Sequence, residues 1–214
     1  MMITLFSRWL VTAVFILPAF CMQAQTSKTM TGAYYLRGVT EVASGFKLNA
    51  DSTFEFFFIY GALDRYGTGN WQEKEGKLVL NSRPQPSRDF ALVTSKAVPG
   101  DQISIRIIDS NSMLLPYVHA RISPGDADQL VTADQQGMIL LPKQKIDTIT
   151  LLFEFCPERH STFSVADNTH NYFEFRFEPW LMEVFFNNFA LQSDKNGLYG
   201  KHPLMEGAQF RYNK

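Results

Sequence analysis

Past residue 30 the chain alternates apolar and polar positions with a period of two, as β-strands do when successive side chains point to opposite sides. In Thr53–Tyr60, Phe54, Phe56, Phe58 and Tyr60 share one face, and Glu55, Phe57 and Ile59 share the other. Two partly apolar faces predict a strand covered on both sides. Phe173, Phe175 and Phe177 alternate with Tyr172, Glu174 and Arg176, which predicts a strand with one wet face. Ile103, Ile105 and Ile107, and then Leu151, Phe153 and Phe155, repeat the pattern. Trp180, Met182, Val184 and Phe186 also share a face, so Trp180–Asn187 reads as a further strand, with a short helix as the alternative.

Turn signals separate these runs. They are Asn49–Ser52, Glu75-Gly76, Asp134–Gly137 and Asp194–Gly197. No segment supports a helix of three turns. Many short strands with frequent turns predict an all-β chain, a sandwich or barrel. The polar Asn81–Asp89, with two prolines, and Pro99-Gly100-Asp101 interrupt the pattern, and the domain junction is expected at about residue 98.

Residues 1–24 read as a secretory signal peptide. Arg8 precedes an apolar run of 12 residues, Trp9–Phe20, against the roughly 20 needed to span a bilayer. Ala24 offers a small residue for cleavage. An N-terminal anchor helix and a lipid on Cys21 remain alternatives. Cleavage would leave Cys156 as the sole cysteine, so no internal disulfide could form and stability must come from the core. Cys156 ends an apolar run and is expected to be a buried small hydrophobe.

Charge changes little. Against 21 Asp+Glu stand 20 Lys+Arg, which excludes the basic character of most nucleic-acid binders. Hydrophobic residues are 45%, enough for a globular core.

Two stretches carry family resemblances. Ile103–Asp109, Leu115-Pro116-Tyr117-Val118 through Ile122, and Val131-Thr132-Ala133-Asp134-Gln-Gln-Gly137 through Pro142 resemble the carboxypeptidase-regulatory-like, or transthyretin-like, β-sandwich family. Ala133 departs from the Thr-Asp-x-x-Gly turn of that family. Asp134 can bond the backbone two residues on, and Gly137 can take positive φ. The resemblance implies a seven-stranded, non-catalytic accessory or interaction domain. Gly32-Ala-Tyr34-Tyr-Leu36, Gly45-Phe46-Lys-Leu48, Gly69-Asn-Trp71 and Lys77–Leu80 are similar in layout to lipocalin-like meanders. The expected organisation is a signal peptide at 1–24, a lipocalin-like meander or partial barrel at 25–98, a transthyretin-like sandwich at 99–180, and C-terminal strands at 181–214 that return to the first sheet.

Chemistry is sparse. Gly-x-Ser-x-Gly, His-Glu-x-x-His, paired Cys-x-x-Cys and a phosphate loop are all absent from the sequence. The stretch Tyr60–Gly69 reads as a loop whose glycines mark a turn or bulge. Tyr60, Asp64, Arg65 and Tyr66 could meet a polar ligand at a barrel mouth. His160, Asp167 and His170, with Glu158, have imidazole and carboxylate suited to zinc, but their spacing fits no closed motif. Asp126, Asp128 and Asp134 lack the calcium-loop pattern. His119 and His202 carry no signal. No metal or cofactor is therefore expected. An enzyme would need a cleft where His160, His170 or Asp64 converge. Of 19 Phe and 3 Trp, all but Phe6, Phe15, Phe20 and Trp9 lie beyond residue 24, enough to line a pocket or to fill a β core.

The sequence thus predicts a periplasmic or secreted non-catalytic binding or interaction protein. It would have an unknown protein partner, no nucleic acid and no membrane span in the mature chain. The alternative is a carrier holding a small apolar ligand between Phe54, Phe56, Phe58, Tyr60 and Trp71.

Overall fold

The computed structural model describes residues 30–123, 129–207 and 209–214. The expected signal peptide, Asp126 and Asp128 lie outside them. The chain is all-β, apart from a short 3-10 turn at Ser112–Tyr117.

Eight strands close an antiparallel barrel. They are β1 (Gly32–Arg37), β2 (Val42–Leu48), β3 (Thr53–Tyr60), β4 (Leu63–Lys74), β5 (Lys77–Asn81), β14 (Phe189–Asp194), β15 (Gly197–Gly200) and β16 (Phe210–Asn213). Each pairs with the next in this order, and β16 pairs with β1. Closure removes the open edges that a four- or five-stranded meander would expose. It is possible because the C-terminal strands supply the missing wall.

Between β5 and β14 the chain forms two stacked four-stranded sheets. One has the order β10 (Met138–Pro142), β7 (Gln102–Ile108), β13 (Tyr172–Phe177), β6 (Phe90–Lys96). The other has the order β12 (His160–Ser164), β11 (Thr148–Phe153), β8 (Val118–Ser123), β9 (Gln129–Thr132). β7 and β13 run parallel; the other pairs are antiparallel. Barrel and sandwich have separate cores, centred on Phe46, Phe54 and Tyr212 in one and on Ile105, Phe153 and Phe175 in the other.

Four expectations need correction. β6 belongs to the sandwich, so the change of unit falls in the proline-bearing segment 82–89 and not at residue 98. Trp180–Asn187 is no strand: it turns at 179–182 and touches β4 through one isolated bridge, Tyr66 with Glu183. Tyr60–Gly69 is no loop: only Gly61 and Ala62 turn, and Leu63–Lys74 is the longest strand among the described residues. The outer face of β3 is open, since Ile59 is exposed and Phe57 is only partly covered by Tyr35.

Local chemistry at the Asp134 turn matches its sequence. Asp134 Oδ1 accepts from Gln136 N at 2.9 Å and Met138 N at 2.8 Å. Gly137 has φ +77°, and a side chain there would start 2.4 Å from the Ile107 carbonyl oxygen.

Candidate functional site

The carrier expectation places a ligand inside the barrel. Inward positions of β2, β3 and β4 carry Phe46, Phe54, Phe56, Phe58 and Trp71, all buried. An eight-stranded barrel has an interior just wide enough for side chains to fill. Here the filling is completed by Phe186, from the segment entering β14. Its ring centroid lies 5.1 Å from that of Phe54 and 5.3 Å from that of Phe56. Gly67 on β4 makes the room, since a Cβ there would start 2.7 Å from the Phe186 ring. The space a carried ligand would occupy is therefore taken by the chain itself.

His202 lies inside the same barrel, beside Phe58 and Phe210. Its Nδ1 accepts from Leu204 N at 3.0 Å and Met205 N at 3.1 Å, which places the proton on Nε2. Nε2 lies 3.1 Å from Ser44 Oγ, which donates to the Phe57 carbonyl at 2.9 Å. Burial pushes the imidazole down to about 4 from the ordinary 6.5. The folded state thus resists a proton that the unfolded chain accepts. The stability held by neutral His202 is fully present above pH 6.5 and is lost as pH falls toward 4. At 1.36 kcal/mol per unit this loss is roughly 3 kcal/mol. Urea unfolding at pH 7, 5.5 and 4 should show it, and His202→Gln should flatten the profile; an equal slope in the variant would refute the assignment.

The tyrosines and charges of β3 and β4 do not form one site. Asp64 and Arg65 are neighbours on a strand, so they point to opposite sides. Asp64 is exposed, as are Tyr60 and Tyr66, whereas Arg65 is 2% exposed. Tyr60 and Leu63 line a cleft of about 640 Å³ with Phe155 of the sandwich. The Tyr66 hydroxyl reaches the Pro179 carbonyl at 3.4 Å.

Arg65 instead joins a charge network between barrel and sandwich. It pairs with Glu158 at 2.6 Å, Arg159 with Asp89 at 2.9 Å, and Arg83 with Glu183 at 2.6 Å. Arg159 also donates to the carbonyls of Leu181 and Glu183. The contacts of Arg159 and Arg83 clamp segment 178–187 as it returns to the barrel. Burial raises the Asp89 pKa, and Arg159 offsets this only in part. For Glu158 burial also acts upward, but the hydrogen bond and charge of Arg65 win and hold it below the usual range. Burial pushes the Cys156 thiol up to about 11, and Cys156 Sγ donates to the Leu181 carbonyl at 3.1 Å. Cys156 is thus the buried, protonated residue its apolar run suggests. The network was not legible in the sequence, because its six charges come from five separated stretches.

The third region is the lateral mouth of the sandwich, where β6 and β12 are the facing edges. Phe90, Leu92 and Ser95 stand opposite the core-facing Phe177, Phe175 and Phe173, and Val93 is the extra residue of a β-bulge. Leu92 is therefore a core-facing position, yet it is 45% exposed. Two clefts of about 590 and 230 Å³ open there, and both include Leu92, Phe163 and Ser164. Trp180 and Arg88 border the larger one.

Ser95, His170 and Asp167 meet at the rim of the smaller cleft. Ser95 Oγ lies 2.7 Å from His170 Nδ1, but Asp167 Oδ2 lies 3.9 Å from Nε2, beyond a hydrogen bond. Asp167 Oδ1 accepts from Thr169 N at 2.8 Å, and the Thr169 N–H and hydroxyl together lower its pKa. The trio ties a turn to β6 and does not align a nucleophile with a base and its orienting acid. His160 is exposed on β12, apart from this turn. Among the described residues no three His, Cys, Asp or Glu groups gather as metal ligands, and no helix is long and apolar enough to cross a membrane.

No family model matches the chain, and neither a curated protein nor a solved structure matches it.

Proposed function

We infer that this protein is an exported, non-catalytic interaction module that makes its contacts through the mouth between β6 and β12. The observation that carries this reading is Leu92, a core-facing leucine left 45% exposed. Leaving half of such a side chain in water forgoes about 1 kcal/mol of burial, and an exposed edge strand invites pairing. Val93, beside it, is 46% exposed. Leu140, on the opposite edge strand β10, is exposed for the ordinary reason that it points outward between buried Ile139 and Leu141. The resemblance of the middle segment to carboxypeptidase-regulatory-like domains, which are usually accessory or interaction modules, agrees with this reading. Residues 1–24, with their short apolar run, support export. The carrier reading draws less support, because Phe186 fills the barrel.

A photo-crosslinking benzoylphenylalanine at position 92, compared with one at position 140, tests the proposal in intact cells. The expected result is an ultraviolet-dependent adduct of protein mass from position 92 and none from position 140. Adducts from both positions, or none from 92, would overturn it, and an adduct of small-molecule mass would favour the carrier.

A further inference from the structure

We propose that the occupant of the β6–β12 mouth is a polypeptide segment in extended conformation, with apolar side chains at alternate positions and a carboxylate that meets Arg88. This rests on reading the mouth as the contact surface, and it deepens that reading by stating what the mouth takes.

Both walls are sheet edges. Among the described residues β6 pairs with β13 alone and β12 with β11 alone, so each has one side unoccupied in its sheet. The two edges are not equivalent. The bulge at Val93 breaks the register of β6, and bulges turn an edge away from further pairing. β12 keeps unbroken register with β11 from His160 to Ser164. It is the edge able to accept a strand.

Alternation on β12 then sets what the incoming chain must look like. Ser161 and Phe163 face the core, while His160, Thr162 and Ser164 face solvent. A strand paired with β12 shares this alternation and sends every second side chain between the sheets, about 7 Å apart. Two clefts wait there on either side of Leu92 and Phe163. A helix does not suit the space. It is about 10–12 Å across with its side chains, as wide as the whole gap between packed sheets.

Charge supplies the remaining feature. Glu178, the acid in the larger cleft, lies 3.5 Å from Arg176. The guanidinium of Arg88 stands 4.6 Å over the Phe163 ring, and Arg88 has no ion pair among the described residues. A carboxylate on the incoming segment would pair with Arg88 beside the buried ring, where a charge-assisted bond is stronger than in open water.

A library of random twelve-residue peptides displayed on phage, panned on the full mature chain with counter-selection on its Leu92→Arg variant, tests this. Enriched peptides should alternate apolar and polar residues and carry Asp or Glu. The synthetic consensus peptide should bind at least tenfold more weakly to Leu92→Arg. Arg88→Glu, a change at an exposed site that spares the core, should reverse the preference so that the lysine version of the peptide binds better. No enrichment, a three-to-four-residue apolar spacing, or an acidic preference indifferent to Arg88→Glu would each overturn the inference. If position 92 still crosslinks to protein in cells, the contact surface stands and only the extended acidic segment falls; loss of both results removes the surface as well.

Discussion

Phe186→Ala lowers the stability of the barrel by about 3–5 kcal/mol, the range for deleting a buried aromatic ring. The ring is 4% exposed and packs edge-on against Phe54, Phe56 and Phe189 at centroid distances of 5.1, 5.3 and 5.4 Å. Two features stop the site from collapsing to refill the space. The barrel wall is closed by continuous pairing, so no strand can move inward alone. Gly67, opposite the ring, has no side chain to shift into the gap. Urea unfolding followed by Trp71 fluorescence reads the loss. A change below about 1 kcal/mol would mean that the barrel repacks freely. The variant should also gain a site for a small apolar molecule inside the barrel, because dry cavities lined by apolar residues take up benzene. Benzene binding to Phe186→Ala and not to the native chain would show that the chain's own phenylalanine stands where a ligand would go. Equal binding to both would restore the carrier reading.

Arg159→Met is expected to cost about 3–5 kcal/mol, by stranding a buried charge. Met preserves much of the stem's volume, so packing is not the main loss. Asp89 loses its counter-charge at 2.9 Å, and the carbonyls of Leu181 and Glu183 lose a donor. The sign of the pH dependence follows from Asp89. Burial already raises its folded pKa, and without Arg159 it rises further. A raised acid pKa means that the folded state binds the proton more tightly than the unfolded chain. The penalty is therefore full above the folded pKa and shrinks as pH falls toward the unfolded value, about 3.9. Chemical denaturation at pH 7 and pH 4.5 should find the variant closer to the native protein at the lower pH. Asp89→Asn added to Arg159→Met should recover part of the loss, by removing the stranded charge. A penalty independent of pH and untouched by Asp89→Asn would place the cost in the carbonyl contacts alone.

Phe186 and Arg159 together link the two cores of one chain. The barrel is closed around a phenylalanine delivered by the returning segment, and that segment is held by Arg159 of the sandwich and Arg83 of the other crossing segment. The two crossing segments bond each other: Ser82 N donates to the Phe186 carbonyl at 2.8 Å, and Glu178 N donates to that of Asp89 at 2.9 Å.

The sequence by itself determined what depends on neighbours along the chain. Phe54, Phe56 and Phe58 share a face because a strand has a period of two, and that face is indeed the buried one. The turns at Glu75-Gly76 and Asp134–Gly137 follow from residues able to bond their own backbone or take positive φ. An all-β chain was therefore legible. Only the tertiary structure decided which strands close on one another, and with that the fate of every candidate residue. Whether Phe57 and Ile59 were covered depended on a second layer that no local pattern specifies. Arg65 reads as half of an Asp-Arg pair, but its partner Glu158 lies 93 residues away. His202 carries no signal in the sequence, but Ser44, 158 residues earlier, meets it inside the barrel. Trp180–Asn187 alternates like a strand, yet its side chains are divided between two cores, Leu181 to the sandwich and Val184 and Phe186 to the barrel. Period reports which residues share a side; burial, charge pairing and an exposed leucine at an open edge arise only where distant segments meet, since those energies depend on distances that the order of residues does not contain.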